Sequence, residues 1–221
     1  MKTTYSLIAL AALLAASTAQ AQSSGDWLVK AGANQIAPKV SSDELSPPAL
    51  PDTRIDVEAK TALIFTAAYM WTDNVSFEFF GGLPYKHDIV GDGAIEGIKL
   101  GKVKQVSPTL LAQYRFGRPD DMFRPYVGAG VTYAYFYGTE GSAALTATTN
   151  PGGPPTTSEV DSKWAVSFQL GLNVKIDDHW FVDASLIKTP LKTTTHLSTG
   201  QSIATKLDPL SFGLAVGYRF R

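Results

Sequence analysis

Residues 163–176 read KWAVSFQLGLNVKI. Taken alternately, Trp164, Val166, Phe168, Leu170, Leu172, Val174 and Ile176 fall on one face, while Lys163, Ala165, Ser167, Gln169, Gly171, Asn173 and Lys175 fall on the other. A period of two belongs to a strand and to no helix. Its length matters as much, because strands of soluble proteins run about 5–6 residues whereas a tilted bilayer-crossing strand needs about 9–11. A water-facing sheet surface would carry Lys and Glu. Small residues such as Gly171, Ala165 and Ser167 suit the narrow lumen of a barrel instead.

The same pattern recurs along the chain. Trp27, Val29, Ala31 and Ala33 alternate with Leu28, Lys30, Gly32 and Asn34; Thr61 to Trp71 presents Phe65, Ala67 and Tyr69; Val75 to His87 alternates Val75, Phe77 and Phe79 with Ser76, Glu78 and Phe80. Val103 to Phe116, Pro125 to Tyr137, Trp180 to Thr193 and Leu207 to Phe220 complete about eight predicted strands. Between them, short turns at Thr72-Asp73-Asn74, from Gly117 and at Asp177-Asp178-His179 alternate with long connections over Pro38–Lys60, Asp88–Lys102, Gly138–Asp161 and Thr194–Thr205. The fold expected is all-β, an eight-stranded antiparallel transmembrane β-barrel with short periplasmic turns and long extracellular loops.

The rest of the composition bounds the answer. Lys2 followed by the apolar run Leu7–Ala16 and by Ala19-Gln20-Ala21 reads as a signal peptide over residues 1–21, with the barrel over 22–221. The chain has 221 residues, no cysteine and a net charge of −1, so there is no disulfide framework, no thiolate metal site and no charge bias toward nucleic acid. Past the signal, no stretch approaches the roughly 18 apolar residues of a membrane helix. A chain that crosses a membrane without one must close a barrel, because backbone groups in lipid need partners within the protein.

Several motifs resemble those of the OmpW family of small outer-membrane proteins over essentially the whole mature chain. They are Gly25-Asp26-Trp27, Thr72-Asp73-Asn74, Ser107-Pro108-Thr109-Leu110-Leu111-Ala112-Gln113, Phe123-Arg124-Pro125-Tyr126-Val127-Gly128-Ala129-Gly130, Leu207-Asp208-Pro209 and Gly217-Tyr218-Arg219-Phe220. Two positions depart from the family pattern: Ser107-Pro108 stands where a Pro-Pro pair is common, and Arg221 follows the Phe that normally ends such a barrel. The resemblance implies an outer-membrane location, assembly by the barrel-assembly machinery and a porin-like channel that helps small hydrophobic molecules across. It also implies links to stress response and to phage or colicin reception.

Strand parity sets the candidate site residues. Lys30, Glu78, Arg115, Lys175, Asp183 and Arg219 point inward near the short-turn end, where an ion-pair layer is expected; the alternative is that they only fill a narrow interior. Above them Phe80, Leu111 and Ile187 point inward and would form an apolar constriction, or the ordinary packing of a barrel just wide enough for side chains. Pro84 with Pro108, and Pro190 with Pro209, pair off at similar heights on neighbouring strands. Proline donates no ladder hydrogen bond, so each pair marks either the strand ends at the outer interface or a weakened lateral seam through which a solute could leave into lipid.

Trp27, Trp71, Trp164, Trp180 and Tyr218 read as interface girdles. No enzyme is expected: His87, His179 and His196 sit at heights where no Ser, His and acidic residue meet, and His87-Asp88 alone does not make a metal site. No cofactor and no nucleic acid is expected; the expected partners are outer-membrane lipid and small hydrophobic solutes. Two other readings stand beside the channel: a structural or receptor barrel that transports nothing, and a soluble barrel, which would need a hydrated outer surface made of Gly128, Gly130, Gly213, Ala215 and Gly217.

Overall fold

The computed structural model describes residues 22–221; the expected signal peptide, residues 1–21, lies outside the described residues. In chain order the strands begin β1 (Trp27–Ala37), β2 (Ser41–Ser42), β3 (Thr53–Val57), β4 (Lys60–Met70), β5 (Val75–Gly82), β6 (Tyr85–Gly93), β7 (Lys99–Val106), β8 (Thr109–Arg115) and β9 (Phe123–Gly141). A short helix α1 (Ala143–Thr149) follows, then β10 (Ser158–Val160), β11 (Lys163–Lys175), β12 (Trp180–Lys188), β13 (Lys192–Leu197), β14 (Ser202–Lys206) and β15 (Leu210–Phe220).

Eight of these close the barrel in the order β1-β4-β5-β8-β9-β11-β12-β15 and back to β1, every neighbour antiparallel. Closure is complete: β1 pairs with β15 from Trp27↔Phe220 to Ala37↔Leu210, and β9 with β11 from Val174↔Phe123 to Lys163↔Ala134. A closed ring leaves no edge, which is what lipid demands of a spanning sheet.

Burial follows parity in the direction that lipid requires. In β11, Phe168 and Leu170 are 55% and 59% exposed while Ser167 and Gln169 are 0% and 2% exposed, the reverse of a soluble sheet. In β15, Leu210, Phe212, Leu214 and Val216 likewise face out, and Ser211, Ala215 and Arg219 face in. The small inward residues make room for rings. A Cβ on Gly171 would lie 2.1 Å from the Tyr126 ring and one on Gly217 would lie 2.2 Å from that of Phe181, so each glycine seats an aromatic of the neighbouring strand. Trp27, Trp180 and Tyr218 gather at the short-turn end, with Trp180 and Tyr218 edge-on at 4.9 Å, and Trp71 packs edge-on against Phe77 nearby. Trp164 lies tilted against Tyr133, with ring centroids 4.8 Å apart, toward the other end. These are the positions of two aromatic belts.

The short turns match the sequence reading. In one, the Asp177 carboxylate accepts N–H bonds from His179 and Trp180 at 2.8 Å each. The long connections do not match: all four carry strands. Residues 88–102 form a β6–β7 hairpin, residues 194–205 a β13–β14 hairpin, residues 38–60 contribute β2 and β3, and residues 138–161 contribute the end of β9, α1 and β10. Together they raise two walls above the barrel, β9-β7-β6-β3 on one side and β10-β13-β14-β2 on the other. Their strands are short or broken by Gly, Pro and a register shift at Ile89/Val90, which erases the long alternation that marks the membrane-crossing strands.

Candidate functional site

The interior is layered from the short-turn end upward. In the lowest full layer, Lys30 Nζ lies 2.6 Å from Glu78 Oε1 and 3.1 Å from Asp183 Oδ1, all three buried. Tyr126 donates its hydroxyl to Asp183 Oδ2 at 2.8 Å. Gln113 Nε2 donates to Glu78 Oε2 at 2.5 Å and to Gln169 Oε1 at 2.7 Å. Arg115 donates through Nε to Ser76 Oγ at 3.0 Å, through its other nitrogens to Gln113 and Asn173, and lies over the Tyr126 ring at 4.8 Å. Two cations, Lys30 and Arg115, thus meet two anions, Glu78 and Asp183, inside one hydrogen-bonded network. That balance is what lets charges stay buried.

Four of the six inward charges named from parity therefore meet. Arg219 forms a separate pair nearer the strand end, 3.2 Å from Asp26 Oδ2. Lys175 is a correction: it reaches Asp178 of the adjoining turn at 2.9 Å and joins no lumen contact. As the last residue of β11 it has a half-hydrated carboxylate within reach, which costs less desolvation than a place in the lumen. Charge alone does not pick out the neutral members of the layer, Ser76, Gln113, Tyr126, Gln169 and Asn173. The signal was there in parity, since all five share the inward face of their strands.

Above this layer Phe80, Leu111 and Ile187 pack with Ile64 into one buried apolar cluster. Ile64 adds the fourth wall, and it too was readable as the inward neighbour of Phe65. Over the cluster lie three stacked cavities. The lowest is bordered by Ile36, Gly81, Gly82, Leu83, Ser107 and Leu191. The middle one shares Ile36, Gln105 and Leu191 with it and adds Val103, Phe136 and Leu207. The topmost shares Ile55, Ile89 and Thr195 with the middle one and adds Ile95, Leu100 and Ile203.

The two proline pairs differ. The β5–β8 ladder ends at Phe80↔Thr109 and the β6–β7 ladder begins at Tyr85↔Gln105, so residues 81–84, ending in Pro84, and residues 106–108, ending in Pro108, face each other without ladder pairs. Main-chain bonds there turn to the outer neighbours instead, Leu83 N–H to Leu63 O at 2.9 Å and Tyr133 N–H to Pro108 O at 3.0 Å. The lowest cavity borders this gap through Gly81, Gly82, Leu83 and Ser107.

Pro190 and Pro209 correct the expectation of a second seam. Thr189 N–H donates to Pro209 O at 3.1 Å, Leu207 N–H to Leu191 O at 2.8 Å, and Leu191 N–H to Asp208 Oδ1 at 3.1 Å. The flanking residues supply the donors that the two prolines lack, and the wall is closed.

Comparison with known proteins agrees with this geometry. The OmpW family model matches residues 23–220. Outer membrane protein W of Vibrio cholerae is 32% identical over 230 residues, covering 100% of each chain. The dibenzothiophene metabolism operon protein PahQ of Pseudomonas aeruginosa is 25% identical, with 88% of each chain covered. Among solved structures, the outer membrane protein OprG of Pseudomonas aeruginosa superposes with a TM-score of 0.82 at 24% identity, covering 91% of this chain and 99% of that one, a likeness of fold.

Proposed function

This chain belongs to the OmpW family of outer-membrane β-barrels, and from that premise we propose that it conducts small hydrophobic molecules passively and without catalysis, releasing them sideways into the bilayer. The observation that carries the reading is the ending of the cavity stack. Three cavities, the upper two with largely apolar linings and the lowest with a mixed one, descend from the long-loop end, stop on the Ile64–Phe80–Leu111–Ile187 cluster with a charged network beneath it, and border an unpaired gap in the wall at residues 81–84 and 106–108. Straight passage would carry an apolar solute across Lys30, Glu78, Asp183 and Arg115. Lateral passage delivers it to acyl chains, a transfer worth about 0.8 kcal/mol for each CH₂ removed from water. PahQ is named for a dibenzothiophene metabolism operon, and dibenzothiophene is an apolar aromatic, a solute of the same class.

The test is whole-cell uptake of short alkanes and aromatic hydrocarbons beside polar solutes of similar size, with and without the protein. Restoring the missing backbone donors at the two prolines beside the gap, with Pro84→Val facing the gap and Pro108→Val tying its flank to β9, is expected to lower hydrocarbon uptake several-fold while leaving the folded barrel intact. Pro190→Val, in the wall already closed by main-chain bonds, is expected to leave uptake unchanged. Uptake confined to polar solutes, or hydrocarbon uptake indifferent to the double variant, would overturn lateral release.

A further inference from the structure

His87 stands in the middle cavity as an unanswered polar atom. It lies on β6, is 1% exposed and helps line that cavity. Its Nδ1 is 2.9 Å from the backbone oxygen of Glu58. A carbonyl oxygen only accepts, so Nδ1 carries the hydrogen, and in the neutral ring Nε2 is left as a bare acceptor. Burial pushes the imidazole pKa below its ordinary value, assisted by the nearby Lys60 ammonium, and keeps the ring neutral near pH 7. Nε2 is buried and makes no well-formed hydrogen bond; the Gln105 side chain is the polar group beside the ring and works against the lowering of its pKa. Gln105, on the same wall, donates its amide N–H to Ser107 Oγ at 2.7 Å.

The ring is held in place. It stacks on Tyr85 with centroids 6.1 Å apart, and the Tyr85 hydroxyl in turn accepts from Asn34 at 2.8 Å. Asp88, next along the strand, turns to the opposite face and pairs with Lys60, so it gives His87 no hydrogen bond and acts on it only through its charge. On the other wall, Thr205 of β14 lines the same cavity with a buried Oγ1 that also lacks a partner. Buried polar atoms are almost always paired, and two orphans facing one apolar cavity ask for a common explanation.

We propose that this cavity is a binding site for an apolar solute bearing a hydroxyl group, a medium-chain primary alcohol, whose O–H donates to His87 Nε2. An alkane leaves both orphans unanswered, a carboxylate has no hydrogen to give, and an ammonium would bring an unpaired charge among Val57, Val103, Phe136 and Leu207. An alcohol supplies the donor that Nε2 requires and can accept from a hydroxyl such as that of Thr205, while its chain occupies the cavities above and below. The inference rests on the passage reading and names the solute class that the passage retains.

The test uses the full barrel in lipid nanodiscs with ¹⁵N-labelled histidine. Adding 1-decanol is expected to move the His87 Nε2 resonance upfield by several ppm, adding n-decane is not, and His179 and His196 serve as internal controls. The absence of an alcohol-specific shift, or an equal shift with decane, overturns the site. In whole cells, His87→Phe is expected to lower the ratio of decanol to decane uptake several-fold. Decane entering normally with that ratio unmoved overturns the site and leaves the passage standing. An Nε2 shift without uptake of either compound supports the site and overturns the passage.

Discussion

The interior below the Ile64–Phe80–Leu111–Ile187 cluster, enclosed by the eight barrel strands, and the interior above it, enclosed largely by the two upper walls, solve opposite problems. Below, side chains long enough to span the lumen meet from facing strands: Lys30 of β1 reaches Glu78 of β5 and Asp183 of β12, and Arg115 of β8 reaches Asn173 of β11. Above, the strands continue into two walls that enclose largely apolar cavities, and His87 Nε2 and Thr205 Oγ1 face one of them without a well-formed hydrogen bond. The difference teaches that polarity in a lumen does not by itself make a path. The lower half is the more polar and is filled; the upper half is the more apolar and holds cavities.

The largest expected effect tests the charge balance below. Lys30→Met leaves two buried carboxylates without their cation, and it is expected to destabilise the barrel by about 3–5 kcal/mol in denaturant unfolding from lipid vesicles. An effect of a few tenths would mean that the network is hydrated, and the contrast with the upper half would dissolve.

A somewhat smaller effect tests the sidedness that both halves share. Leu170→Arg puts a charge on the lipid face of β11 and is expected to cost about 2–4 kcal/mol in the same assay. Tolerance of that arginine would mean that the exposed face does not see acyl chains.

The smallest effect sharpens the comparison directly. Ser76→Ala removes a hydroxyl that accepts from Arg115 and donates to Gln113, leaving a buried guanidinium N–H unpaired at a cost of about 1–3 kcal/mol. Thr205→Val removes a hydroxyl that pairs with nothing and is expected to be neutral or slightly stabilising. Equal costs at the two positions would erase the distinction between a satisfied layer and an open one.

Legibility in the sequence followed the strength of the periodic signal. Strands such as β11 and β15 alternate for eleven residues or more, so their faces, and with them the inward places of Lys30, Glu78, Phe80 and Ile187, could be read from parity alone. The upper strands β6, β7, β13 and β14 were read partly as loops, because glycines, prolines and a register shift cut their alternation short. In the sequence His87 is only a histidine without catalytic neighbours. Its meaning depends on Glu58 and Thr205, which are distant in the chain and come from segments assigned to loops.

What the chain determined by itself was the wall: a period of two, sustained long enough to cross a bilayer, with bulk on one side and glycine on the other, leaves lipid as the only environment that accepts the outer face. What only the tertiary structure decided was how that wall closes and where it fails to. Pro84 with Pro108 and Pro190 with Pro209 are the same residue type at matching heights, yet the donors of Thr189, Leu191 and Leu207 stitch one pair shut while at the other the Leu83 N–H and the Pro108 carbonyl turn to outer neighbours. A missing hydrogen bond is written in the sequence as proline. Whether a neighbour supplies the replacement depends on the register and direction of residues far away along the chain.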